Sequence, residues 1–309
     1  MKRIAGVELG GTKCIVVLAN GDDRIAEQHV IPTLDPATTL AAIIETLDRW
    51  WGDGRFDALG IASFGPLDLD ISSPAYGTIT STAKPGWRDT PIVAPLAARY
   101  AVPVAFDTDV NGAAFAERRW GAGQGLDDLA YVTVGTGVGV GLIVNGQATR
   151  GLGHCEAGHM RVARLAGDHW RGACPYHGDC VEGLAAGPAI AARLGRDGAS
   201  VPDDDPVWDT VVEAVAQMLQ ALVSIAGPRR ILIGGGVMAS RPLLIERIEA
   251  RVRALVGRYL ALPAERFVRS PGLGAEAGPL GPIALALAMA ERDRTSAIDT
   301  HASPLPNFN

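Results

Sequence analysis

Residues 6–22 read GVELGGTKCIVVLANGD, and residues 131–147 read YVTVGTGVGVGLIVNGQ. At a constant offset of 125, Val7, Gly10, Asn20 and Gly21 fall on Val132, Gly135, Asn145 and Gly146. Each copy is an apolar run, a glycine turn, a second apolar run and an Asn-Gly pair. Short apolar runs bounded by Gly and Asn read as buried strands, and Asn-Gly is a strong hairpin signal. Self-similarity at this length indicates a duplicated unit. It predicts two similar halves, each with a glycine turn, facing a shared cleft.

Around the first copy, residues 24–31 read as a third strand, 36–51 as a helix and 57–63 as a strand. A loop-rich stretch over 67–90, a helix near 91–100, a strand at 102–106 and a helix at 110–119 follow. The second half has a long irregular stretch, 151–180, rich in Gly, His and Cys. Helices are expected near 181–193, 207–226, 241–258 and 280–292, with a strand at 230–233. Strands alternating with helices indicate an α/β architecture. The predicted division is a smaller N-terminal α/β domain over 1–118, completed by the helix near 280–293, and a larger one over 119–279. Residues 294–309 show no periodicity and are expected to be a mobile tail.

Composition sets outer limits. The chain has 309 residues, more than one compact core usually holds. Its net charge of −6 argues against coating nucleic acid or acidic lipid. No apolar run approaches a membrane span, and Gly and Glu interrupt the N-terminus where a signal peptide needs apolar residues. A cytoplasmic protein is expected. Only three lysines, Lys2, Lys13 and Lys84, stand among the 28 basic residues, which draws attention to Lys13 inside a glycine turn.

Three glycine turns carry one kind of chemistry. Gly10-Gly11-Thr12-Lys13 joins two strands, so it is not a P-loop, yet its backbone N–H groups can face phosphate oxygens. Gly135-Thr136-Gly137 repeats it, and two such turns facing each other would hold a triphosphate. Gly234-Gly235-Gly236 follows a buried strand and would let a flat ring approach the backbone.

His159, Cys174, His177 and Cys180 form H-x14-C-x2-H-x2-C. Four Cys and His ligands suit a closed, structural zinc site. The alternative is a glycine-rich loop with cysteines placed by chance. Asp109 follows a strand and opens a helix, where the commonest use of Asp is as an N-cap; Asp107 could serve equally. Glu156 and Glu182 flank the metal ligands. They read either as acceptors for a hydroxyl-rich ligand or as surface charges.

The segments VELGGTK (7–13), ASFGPLDL (62–69), DTDVNGAA (107–114), VGTGVGVG (134–141), GHCEAGHM (153–160), CPYHGDCVEG (174–183) and IGGGVM (233–238) together resemble the ROK family of repressors, open reading frames and kinases, in its fructokinase-like branch. The resemblance runs from the first strand to about residue 293. It implies a two-domain actin-like, hexokinase-like (ribonuclease H-like) α/β fold. It also implies an ATP-dependent hexose kinase, most of all a fructokinase, using Mg²⁺ and carrying a structural Zn²⁺. Asp109 then becomes the general base for the sugar 6-hydroxyl rather than a cap. Glu156, His159 and Glu182 match sugar-contacting positions, and His159 is also a zinc ligand. Gly10, Gly11, Thr12 and Lys13 match the first phosphate turn, Gly135, Thr136 and Gly137 the second, and Gly234, Gly235 and Gly236 the adenosine turn. A homodimer is implied, with no nucleic-acid or membrane partner.

Three departures bear on the substrate. Glu8 replaces the Asp of the broader family pattern, as in fructokinase-like members. Thr108 stands where glucokinase-like members have Asn, which removes an amide contact to the sugar. The zinc motif is C-x2-H-x2-C rather than the cysteine-rich form of the glucokinase-like branch. All three point to fructose; a mannose, glucose or broad-specificity hexose kinase is the alternative. A sugar-sensing repressor would need a helix-turn-helix before the first strand, which begins near residue 3. A silent sugar- or nucleotide-binding protein would not need Asp109.

Overall fold

The computed structural model describes residues 3–21 and 25–299, with side chains through Arg292. The first half comprises β1 (Arg3–Leu9), β2 (Lys13–Asn20), β3 (Ile25–Pro32), α1 (Pro36–Asp53), β4 (Ala58–Ser63), β5 (Thr78–Ile79), β6 (Thr90–Pro91), α2 (Val93–Arg99), β7 (Val104–Thr108) and α3 (Asp109–Trp120). The second comprises β8 (Leu129–Val134), β9 (Val138–Val144), β10 (Gln147–Ala148), α4 (Val181–Ala185), α5 (Gly187–Leu194), α6 (Val207–Ala226), β11 (Arg230–Gly234), α7 (Gly236–Ser240), α8 (Leu243–Val256), β12 (Val268–Arg269) and α9 (Ala277–Asp299).

Two five-stranded sheets share one topology. Their orders are β3-β2-β1-β4-β7 and β10-β9-β8-β11-β12. In each, the first three strands form an antiparallel meander and the last two add in parallel. The duplication read from the sequence is therefore structural. The constant offset, however, holds only as far as the turn. Val7 faces Val16, whereas Val132 faces Val140, so the second turn is one residue shorter. Asn145 and Gly146 sit one step beyond the places of Asn20 and Gly21. Both have positive φ and close a two-residue hairpin between β9 and β10, the geometry Asn-Gly favours.

Apolar faces assemble three cores. Trp50, Phe56, Trp87 and Tyr100 anchor one between the first sheet and α1 and α2. A second lies under α6 and α8 against the second sheet. α6 has the length and hydropathy of a membrane span, but 56 % of it is buried in this core. Its polar face pairs Glu213 with Arg251 of α8. The third core holds α3 and α9, which pack on each other. α9 lies on β1, β4 and β7, and α3 also touches β8 and β9. That seating requires Gly60: a Cβ there would stand 1.8 Å from the Pro282 carbonyl oxygen.

Several boundaries differ from expectation. The helix expected over 181–193 breaks at the extended Ala186, because Pro188 offers no N–H to continue the α4 ladder. The one expected near 241–258 is α8, Leu243–Val256, and the unexpected short α7, Gly236–Ser240, precedes it across Arg241 and Pro242. The loop over 67–90 contains the β5–β6 ribbon. The tail expected over 294–309 is helical as far as Asp299, as an extension of α9, and its remainder lies outside the described residues.

Candidate active site

The start of α3 fixes the centre of the cleft. Thr108, not either aspartate, is the N-cap: its Oγ1 accepts from Asn111 N–H at 3.1 Å. Asp107 is buried and held in a network of its own. It accepts from Thr108 N–H, Asn111 Nδ2 and an Arg150 guanidinium nitrogen at 2.7–2.8 Å. Asn111 Oδ1 in turn accepts from Leu142 N–H of β9. Asp109 is left at the first helical position, with Oδ1 accepting from Val110 N–H at 2.8 Å. Desolvation raises its pKa from 3.8 to about 6.

Two further carboxylates feel its charge. Glu8, on β1, is pushed up to about 7 by burial and then by Asp109, partly offset by Lys13. Its Oε2 is buried without a hydrogen-bond partner. Its Oε1 lies where only a glycine, Gly278 of α9, leaves room: a Cβ there would come within 2.2 Å. Glu156 is raised to about 7 by burial, then by Glu182 and Asp109. Its side chain is 43 % exposed, so solvent moderates that shift. Three carboxylates crowded this way favour a cation or hydroxyl donors among them.

The first glycine turn stands at the exposed end of the β1–β2 hairpin. Gly10 N–H donates to Lys13 O, and Thr33 braces the turn by donating to Gly10 O at 2.7 Å. Lys84 Nζ donates to Gly11 O at 2.7 Å from the loop between β5 and β6. The second and third turns meet on the other sheet. A Cβ at Gly135 would lie 3.4 Å from Gly236 N, and Gly187 N–H at the start of α5 donates to Gly135 O. Glu182 joins this group rather than standing free. Its Oε2 accepts from Val138 N–H at 3.1 Å, and its Oε1 is 4.0 Å from His159 Nδ1.

The long loop before α4 gathers His159, Cys174, His177 and Cys180, whose ligand atoms all lie within 4.8 Å of one another. Cys174 Sγ is 3.6 Å from His159 Nδ1 and 3.7 Å from His177 Nδ1, and Cys180 Sγ is 3.7 Å from His159 Nδ1. A tetrahedral zinc with ordinary bond lengths spaces its sulfur and nitrogen ligands by about 3.6 Å. The residues therefore fit the metal. His159 turns Nδ1 to the sulfurs, which leaves Nε2 outside the cluster.

A model of the ROK family matches residues 4–289. The chain belongs to the ROK family. Within it, a fructokinase of Zymomonas mobilis is 40% identical over 301 residues, covering 93% of this chain and 97% of its own. A fructokinase of Pediococcus pentosaceus is 37% identical over 285 residues, covering 92% and 98%. A ROK family glucokinase from Streptomyces griseus, solved with glucose and AMPPNP, superposes with a TM-score of 0.71 at 26% identity over 92% of this chain and 99% of that one. The ROK fold here is accordingly the actin-like α/β arrangement with its repeated sheet.

Sequence reasoning missed several of the residues that build this ROK site. Arg150 and His154 line one cavity with Glu156, and neither takes a role from the sequence alone, although His154 lies in the segment GHCEAGHM (153–160). Lys84 did carry a signal, since lysine is scarce in the chain and this one reaches the first turn.

Proposed function

We propose that this ROK protein is an ATP-dependent fructokinase that transfers the γ-phosphate of ATP to the 6-hydroxyl of D-fructose, with Asp109 as general base. The observation that carries this reading is Asp109 itself. Thr108 takes over helix capping and Asp107 takes over Arg150, so Asp109 is left with a raised pKa and with Glu8 and Glu156 close enough to feel its charge. A carboxylate near 6 is ionised at neutral pH and basic enough to accept a proton as it leaves. In the step, Asp109 takes the O6 proton, the O6–phosphorus bond forms, the bond from phosphorus to the β,γ-bridging oxygen breaks, and ADP departs. Glu156, His159 and Glu182 bind sugar hydroxyls or set that wall of the pocket. Gly10 to Lys13, Gly135 to Gly137 and Gly234 to Gly236 cradle the nucleotide.

Mg²⁺ would neutralise phosphate charge; it binds through phosphates and one or two carboxylates, and Glu8 and Asp109 offer those oxygens beside the first turn. His159, Cys174, His177 and Cys180 hold a structural zinc that shapes the loop. Fructose is favoured over glucose by Thr108 in place of an asparagine, by the form of the zinc motif, and by the higher identity to the fructokinases than to the glucokinase.

The test is ATP-dependent phosphorylation of fructose, mannose, glucose and N-acetylmannosamine, with Asp109→Asn as control. Turnover is expected to be highest on fructose and to fall by about 10²–10⁴ in the variant. Preference for another hexose would overturn the substrate but keep the reaction. No turnover on any sugar would overturn the kinase reading.

A further inference from the structure

A cavity of about 1470 Å³ opens beside α3, with Leu67, Thr80, Asp107, Arg150, Glu156 and His154 in its wall. His154 is a buried titratable residue in this wall that the proposed chemistry does not use. Only 5 % of its side chain is exposed. Its Nε2 accepts from the Leu67 backbone N–H at 3.0 Å. A ring nitrogen that accepts a hydrogen bond carries no proton, so the neutral ring is protonated at Nδ1. Burial lowers the His154 pKa, which keeps the ring neutral. The ring is wedged against Gly65, where a Cβ would lie 3.1 Å from Nε2. Its Nδ1 is buried, makes no well-formed hydrogen bond although the Cys155 backbone lies beside it, and is 3.4 Å from Glu156 Oε1. A buried donor without a partner is costly, so the fold keeps it where a partner can turn to meet it.

We infer that His154 is a positioning residue for the hexose. Its Nδ1–H, aimed by Leu67 N–H, turns the Glu156 carboxylate toward the sugar. The same ring ties the loop after β4, from the first sheet, to the loop carrying Glu156, from the second. The Leu67 contact sets the tautomer that puts the proton on Nδ1, and the donor at Nδ1 is what acts on Glu156; without it the ring is only a latch. The inference rests on the reading of Glu156 as a hexose ligand.

Two substitutions separate the two ring nitrogens. Gln places its amide oxygen near Nε2 and can keep the Leu67 contact, but loses the donor to Glu156. Asn places its amide nitrogen near Nδ1 and keeps the donor, but loses Leu67. In the zinc-loaded full chain, H154Q is expected to raise the fructose KM about tenfold, with kcat and the ATP KM within about twofold. H154N is expected to recover most of that loss. E156Q should also raise the fructose KM, and adding H154Q to it should change little, because both act through one carboxylate. Equal effects of H154Q and H154N, or an H154Q effect that persists undiminished in the E156Q background, would overturn the inference. Those results would make the ring a structural latch, which melting temperature and zinc content measured on the same samples would register. If E156Q raises the fructose KM and H154Q does not, the His154 inference alone fails. If E156Q leaves that KM unchanged, the assignment of Glu156 fails and the inference goes with it.

Discussion

At the scale of single residues, Asp109 trades stability for reactivity. Desolvation raises its folded pKa from 3.8 to about 6, so the folded chain holds this proton more tightly than the unfolded chain does. The penalty for ionising it therefore grows as the pH rises from about 4 to about 6, and is constant above that. Asp109→Asn removes the penalty. At pH 8 the variant should be more stable by on the order of 1 kcal/mol, the side chain being only partly shielded from water, or a few degrees in Tm. At pH 3.5 most of that gain should vanish, because the carboxyl is largely protonated in both states. The wild-type kcat/KM for fructose should fall about tenfold between pH 6.5 and pH 5 as the base is protonated. Glu8 and Glu156, raised to about 7, titrate in the same range and broaden the fall. Thermal melts at the two pH values and a pH–rate profile check both halves. A variant that is less stable at pH 8 would remove Asp109 from the list of strained groups.

At the scale of elements, the segment between β10 and α4 has no core of its own and only leans on the second core through Cys155, Ala157, Met160, Val162 and Trp170. Salt bridges hold part of it: Asp168 pairs with Arg164 and Arg193, and Arg164 also reaches Asp179. The proposed zinc holds the rest. Cys180, one of the proposed ligands, is also the N-cap of α4, its sulfur accepting from Gly183 N–H at 3.5 Å. Glu182, in the first turn of α4, carries that order to Val138 beside the second glycine turn. Removing the metal should therefore loosen α4 and the turn together. A strong chelator is expected to open 151–183 to proteolysis, lower Tm, and raise the KM of hexose and ATP; added zinc should reverse all three. Protein that contains no zinc when fresh, or that ignores chelation, would refute this.

The same elements show what the sequence made legible. The duplicated hairpins could be read because their strands are local and apolar. The one-residue difference in turn length could not, since Gly135-Thr136-Gly137 and Gly10-Gly11-Thr12 look alike until the strands are paired. The helix breaks before Pro188 and Pro242 had their signals in plain view. Contacts such as Glu8 with Asp109, or His154 with Leu67, had none. They join segments about 90 to 100 residues apart, and no local periodicity encodes how two sheets approach.

At the scale of the whole molecule, the machinery is divided between two copies of one topology. The first glycine turn and Glu8 stand on one sheet, and the second and third turns stand on the other. Asp109 opens α3, which packs against strands of both sheets and against α9. Phosphoryl transfer needs the attacking oxygen about 3–3.5 Å from phosphorus, with bulk water kept away. A cleft open enough to admit ATP and hexose cannot also exclude water. Both demands are met if the sheets close as rigid bodies about α3 and α9 once both ligands are present. The close contacts at this junction suit a pivot rather than a slide. Gly112 and Gly281 meet with no side chain between them, and a Cβ at Gly141 of β9 would stand 2.2 Å from Val110 O. Fructose with AMPPNP is therefore expected to shrink the radius of gyration in solution scattering more than either ligand alone. ATP hydrolysis without sugar should stay slow, because the open form leaves the phosphorus without its positioned nucleophile. If the scattering curve is the same with and without both ligands, the cleft is already closed enough for transfer, and α3 is a fixed strut rather than a hinge.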